Sequence, residues 1–197
     1  MSSLHYYAIY KPFGMLSQFT SEGGHETLKS LYEFPSDVYP VGRLDTDSEG
    51  LLVLTNDRKL NHNLLNPEFG HSRVYLVQVE GEVTGEACEK LQQGVSITIN
   101  GKKHLADAVE AKRVDTPEWL PERTPPVRFR KSVPTSWMEM VLREGKNRQV
   151  RKMTAAAGFP TLRLVRTSIE KLRLDDMQPR QVKTLSRQEA YSLLNLR

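Results

Sequence analysis

Asp45 lies in the polar stretch Gly42-Arg43-Leu44-Asp45-Thr46-Asp47-Ser48-Glu49-Gly50, two residues after Arg43 and just ahead of the apolar run 51–54. An acid at the mouth of a sheet, with a cation close by, is suited to act as a nucleophile or a base. A second grouping is Arg143-Glu144-Gly145-Lys146-Asn147-Arg148-Gln149-Val150-Arg151-Lys152. Loop cations followed by a helix start offer charged side chains and free backbone amides, and both suit phosphate oxygens. Helical spacing predicts that Arg148 shares a face with Arg151 and with Lys152. Lys11-Pro12-Phe13-Gly14 reads as a rigid turn bearing a cation after a buried strand. Tyr75 sits inside a strand, where core packing is the commoner role of a tyrosine.

Other chemistries fit these residues less well. Asp45-x-Asp47-x-Glu49-Gly50 imitates the first half of a calcium-binding loop, but its twelfth position is Asn56 and its flanks read as strands. A bidentate carboxylate and two helices are needed there. Simpler alternatives stay open on each stretch alone: a turn whose acids cap backbone amides, and a solvated amphipathic helix over 148–157. His5, His25, His62, His71 and His104 lack metal-ligand spacing, so no metal is expected. Gly145-Lys146 lacks the context of a phosphate-cradling loop, and no dinucleotide fingerprint exists. Ser17, Ser48 and Ser168 have no nucleophile-elbow context. Asp47 is too close to Asp45 to flank a substrate as the second acid of a hydrolase.

The elements that must position these groups can be read from pattern. Strands are predicted over 6–10, 51–54, 73–83, 95–99, from 102 onward, 137–142, 162–169 and 172–174. Asn100-Gly101 is the strongest hairpin signal in the chain. Helices are predicted over 26–32, from Asn56 or Asp57 to about Leu65, from Thr84 to Gly94, and over 148–157. Ser186-Arg187-Gln188-Glu189 is a capping box opening a terminal helix. Strands mixed with scattered helices, without regular βαβ alternation, indicate an α+β fold with a mixed or antiparallel sheet. The chain is expected to form one catalytic domain over 1–197, of two closely packed lobes. The proline-rich residues 115–127 are expected to be a surface loop or the hinge between them.

Composition narrows the setting. No run of about 18 apolar residues is present, so a membrane-spanning helix is excluded. The N-terminus lacks a signal-peptide pattern, which makes the cytoplasm the expected compartment. Cys88 is the only cysteine of the 197 residues, in keeping with a reducing environment. Residues 122–173 hold 13 of the 28 basic residues but 4 of the 24 acidic ones. That asymmetry points to a polyanion-binding lobe.

Taken together, four stretches in order resemble the pseudouridine synthases of the small-subunit RNA synthase A type. They are Lys11-Pro12-x-Gly14, Gly42-Arg43-Leu44-Asp45-x-Asp47-x-x-Gly50-Leu51-Leu52, the Tyr75 of Arg73-Val74-Tyr75, and Lys146-Asn147-Arg148-Gln149-Val150-Arg151-Lys152-Met153. The likeness ends in Leu164-Val165-Arg166 and covers about 170 residues, from Tyr6 to roughly Leu174. It implies the catalytic fold of that family, a mixed, largely antiparallel sheet with flanking helices and a central active-site cleft. It further implies isomerisation of uridine to pseudouridine in ribosomal RNA, that of the large subunit, by a monomer without cofactor or metal. Asp45 would be the nucleophile, adding either to C6 of the uracil or to the anomeric carbon. Tyr75 would stack on the flipped base and Arg151 would pair with the catalytic carboxylate. Arg43 would fill the vacated space and hold phosphate, and Leu164 would wall the base. Lys11, Lys146, Asn147 and Arg148 are expected to bind the RNA. The sequence departs from the family in starting without its usual N-terminal RNA-binding domain, and in lacking a glycine near Glu170. The alternative function is that of a non-catalytic RNA-binding protein derived from this fold, although plain binding has no need of an acid beside a polyanion.

Overall fold

The structure, a computed structural model, describes residues 3–128, 130, 132–175 and 177–197. The chain forms two units, the first made of residues up to His71 together with Arg166–Arg197, the second of Ser72–Val165.

The first unit is organised by β1 (Tyr6–Lys11), whose six side chains are all buried. A strand without a polar face has to be covered on both faces and paired on both edges. β3 (Glu49–Thr55) and β11 (Val182–Leu185) supply the edges, both antiparallel. β3 is also buried at every position, and its run Leu51-Leu52-Val53-Leu54 is fully inaccessible. Each such side chain contributes about 2 kcal/mol of hydrophobic stabilisation. The strand order is β11-β1-β3-β9, with β9 spanning Thr161–Ile169. A short β2 (Tyr39–Pro40) pairs with β3, and β10 (Leu172–Arg173) pairs with β9. α1 (Arg58–Leu65) begins at Asp57, whose carboxylate accepts from the N–H groups of Lys59 and Leu60. The same carboxylate accepts the hydroxyls of Tyr6 and Tyr191, each at 2.8 Å. One cap thus ties β1, α1 and the terminal helix α4 (Arg187–Leu193) together. The capping box of Ser186 and Glu189 is present as its sequence predicts.

In the second unit the order is β9-β4-β8-β7, with β4 over Arg73–Glu80, β8 over Thr135–Leu142 and β7 over Glu110–Val114. β4 and β8 pair antiparallel along their whole length. The hairpin of β5 (Val95–Ile99) and β6 (Lys102–Ala106) turns at Asn100-Gly101, as read from the sequence. α2 (Gly85–Gln93) is capped by Thr84, and α3 (Gln149–Ala156) packs Val150 and Met153 into the core with Leu91, Met138 and Met140.

Several expectations are corrected. The helix expected over 26–32 is a single 3-10 turn, Leu28–Ser30. Leu16 and Thr27 form a bridge that holds the chain extended up to that point. The strand expected to reach Val83 ends at Glu80, where Gly81 takes a left-handed conformation. Residues 115–127 are no hinge between units. They lie inside the second unit, in the connection from β7 to β8, and the chain passes between units at 71–72 and 165–166. Arg148 is not a helical residue. It precedes α3 in a left-handed conformation with φ of 52°, so face-sharing with Arg151 does not hold. Glu170, near which the resemblance implies a glycine, also adopts the left-handed region, with φ of 52°, and its Oε1 lies 3.2 Å from Nδ1 of His71.

Gly50 shows why the acidic stretch must end in glycine. Its φ is +109°, and a Cβ there would collide with the backbone of Arg166 on β9. Neither the dihedral nor the approach admits a side chain. Gly50→Ala should therefore destabilise the protein by at least about 3 kcal/mol, measured by denaturant unfolding. A loss under 1 kcal/mol would contradict the close packing of these two strands.

Candidate active site

In the first unit the chain leaves β2, turns at Gly42 and enters β3 through residues 43–48. Leu44 is buried and packs with Tyr7, Ile9, Met15, Leu52 and Leu54. With Leu44 anchored inward, its neighbours diverge: Arg43 is exposed and Asp45 half-buried. The backbone of this turn is held from three directions. The Gly14 N–H donates to the Thr46 carbonyl at 2.8 Å, and the Ser48 N–H to the Asp45 carbonyl at 3.0 Å. Ser17 brackets Leu44, its Oγ donating to the Leu44 carbonyl at 2.7 Å and accepting the Leu44 N–H at 3.1 Å. A carboxylate carried on so restrained a backbone has little orientational freedom to lose on reaction.

Lys11 lies at the end of β1 and is fully buried. Its Nζ donates to the carbonyls of Met15, at 2.7 Å, and Pro12, at 3.0 Å. Burial pushes this ammonium down to about 8, against the pull of Glu49, Asp47 and Asp45, which favour its charged form. A side chain so enclosed cannot reach RNA, which corrects the expectation that Lys11 binds substrate. It closes the turn 12–15, and the N–H of Gly14 in that turn holds Thr46.

In the second unit Tyr75 on β4 and Leu164 on β9 are buried in one apolar cluster with Val150 and Met153 of α3. Those two residues flank Arg151, which is half-buried on the same helix. The loop before α3 is braced from within. The Gln149 side chain accepts the Lys146 N–H at 2.9 Å and donates to the Glu144 carboxylate, which also contacts His104 Nε2 at 3.0 Å. With Glu144 and buried Gln149 so engaged, Lys146, Asn147 and Arg148 are left exposed along the loop. Three consecutive polar or cationic side chains on a braced loop suit a phosphate backbone.

The structure therefore groups Arg43 and Asp45 in one unit, and Tyr75, Leu164, Arg151, Lys146, Asn147 and Arg148 in the other. Sequence reasoning missed the two residues that brace these groups. Ser17 lacks the context of a nucleophile, and its place three residues after Gly14 marks it as part of the same turn. Gln149 stood unremarked within the basic stretch, although a side-chain amide at a helix start is suited to bind loop amides. Among the described residues no three His, Cys, Asp or Glu side chains are grouped to hold a metal ion, and no helix is long and apolar enough to cross a membrane.

Comparison with known proteins bears on the same residues. A family model described as RNA pseudouridylate synthase matches residues 5–156. A protein of Xanthomonas axonopodis pv. citri, named ribosomal large subunit pseudouridine synthase E, is 48% identical over 171 residues, which cover 86% of this chain and 87% of that one. A protein of the same name from Vibrio parahaemolyticus is 47% identical over 176 residues, 89% of this chain and 71% of that one. A crystal structure of a pseudouridylate synthase matches with a TM-score of 0.76 at 23% identity, covering 98% of this chain and 75% of that one, and so supports the fold. Motifs, fold and relatives agree: the chain belongs to the RNA pseudouridylate synthase family, isomerases that convert uridine to pseudouridine in RNA.

Proposed function

We propose that this protein converts a specific uridine of large-subunit ribosomal RNA to pseudouridine, as a cytoplasmic monomer and without metal or cofactor. The observation that carries the reading is the turn of Asp45, restrained by Gly14, Ser17 and Ser48 while the side chain of Asp45 stays half accessible. The names of the relatives support the choice of RNA, and the lone buried Cys88 agrees with a reducing compartment.

The reaction breaks the bond from N1 to the anomeric carbon, turns the base, and joins C5 to that carbon. The proton lost from C5 is balanced by one gained at N1, so no oxidant or external group is consumed. The target uracil has to leave the helical stack first, because a carboxylate cannot reach either candidate atom in a paired base. Asp45 attacks C6 or the anomeric carbon. Tyr75 stacks on the uracil and assists proton movement at C5, with Leu164 as an apolar wall beside it. Their common apolar cluster supports this pairing of roles. Arg43, exposed next to the anchored Leu44, occupies the space that the base leaves and holds phosphate. Lys146, Asn147 and Arg148 hold the backbone. Arg151 orients the nucleophile.

Asp45→Asn should abolish turnover on a ribosomal RNA fragment while leaving the fold and most RNA affinity intact, because the swap removes a charge and almost no volume. Measurable turnover by a clean preparation would remove Asp45 from the mechanism. The two arginines should fail in opposite ways. Arg148→Ala should flatten the dependence of log affinity on log salt by about one unit. Arg151→Ala should lower the single-turnover rate far more than affinity. Lysine should restore it in part, since it keeps the charge but not the planar fork. An Arg151→Ala variant that keeps its rate and loses only affinity would make Arg151 a phosphate contact.

A further inference from the structure

Behind the turn of Arg43, the first unit presents a surface that the reaction does not use. A Cβ at Gly42 would lie 3.1 Å from Cδ2 of Leu65, which places the C-terminal end of α1 directly against the residue preceding Arg43. Leu65 is 42% exposed there, and four residues on Phe69 is 54% exposed. Large apolar side chains left open beside a cation are unusual enough to ask what covers them.

Phe69 is also rigidly presented. It ends a 3-10 turn that starts at Pro67 and closes at Gly70 in the left-handed region. The Asn66 Oδ1 accepts the Glu68 N–H at 3.1 Å, and its Nδ2 donates to the Glu68 carboxylate at 3.2 Å. Behind the ring lies buried His71, with the ring centroids 6.3 Å apart. The backbone that carries the ring is thus ordered before any ligand arrives, so contact with it costs little backbone entropy. Along the exposed side of α1 run Arg58, Lys59 and His62. Against these and Arg43, residues 58–70 hold a single acid, Glu68, which is turned onto Asn66.

An exposed aromatic ring in a stretch that also carries exposed Arg58 and Lys59, side-chain amides and one acid has the chemistry that binds unpaired nucleotides: stacking for the base and positive charge for the phosphate. We infer that Phe69, four residues after the Leu65 that abuts Gly42, is a stacking platform for an unpaired base of the substrate RNA other than the target uridine, on the strand whose phosphate Arg43 holds. This rests on the RNA substrate proposed above. A protein partner would have no call for the row of cations on α1 unless it were itself acidic.

The test uses the intact protein and a stem-loop fragment of large-subunit ribosomal RNA that the wild type binds. Turnover of that fragment by the wild type establishes the substrate reading independently of the platform. Phe69→Ala should weaken binding of the fragment, measured by fluorescence anisotropy, by about tenfold, the value of one base stacked on an aromatic ring. Phe69→Trp should keep wild-type affinity, and the emission gained over wild type should be quenched when the fragment is added. Unchanged affinity in a folded Phe69→Ala variant, or added emission in Phe69→Trp that ignores saturating RNA, would overturn the inference. If the wild type turns over no RNA but Phe69→Ala still loses affinity, the platform stands and the catalytic reading falls.

Discussion

The hydrogen bond from the Gly14 N–H to the Thr46 carbonyl joins two turns that are distant in sequence and carry no regular structure of their own. Everything proposed for Asp45 depends on that junction. The turn 12–15 keeps its shape because Lys11 fills it with an ammonium bonded to two carbonyls. Burying an amine so deeply is costly, and the cost falls partly on its proton affinity, which drops to about 8. The return is a backbone donor aimed at the turn of the nucleophile. Ser17 adds a second restraint from inside, and the buried Leu44 a third. A loop that has to hold a half-buried charged side chain thus takes its precision from backbone bonds.

Electrostatics are divided between the two units. The first places its acids at the turn, with Lys11 beneath them and Arg43 outside. The second gathers its cations on a loop whose own polar groups are already engaged. Gln149 accepts the Lys146 N–H and donates to Glu144, while the side chains of 146–148 stay exposed. Bracing from within is what distinguishes this loop from an ordinary solvated basic face.

Much of this could be read from sequence, and the parts that could not share a cause. The strands with continuous apolar runs, the Asn100-Gly101 hairpin and the capping box of α4 are local patterns, and each forms where it is predicted. Asp45 stands out by its place between a cation and an apolar strand, whereas the role of Tyr75 comes from the resemblance alone. Lys11 was misread because a lysine is nearly always a surface residue, and only the assembled β1, flanked by β3 and β11, encloses it. Arg148 was misread because helical spacing ignores the left-handed residue that can precede a first turn. Ser17, Gln149 and Phe69 act through partners or exposure that only the folded chain defines. β2, β7 and β11 escaped notice because two are very short and the third, Glu-Ala-Lys-Arg-Val, carries mostly charged residues on an outer strand.

The central claim is that this chain isomerises a uridine of large-subunit ribosomal RNA through Asp45. It is tested most directly by mapping pseudouridines across ribosomal RNA from cells that have the protein, lack it, or carry only its Asp45→Asn form. One large-subunit site should lose its pseudouridine in the absence of the protein and stay unmodified with the variant. An unchanged map in cells without the protein, or a site restored by Asp45→Asn, would contradict it.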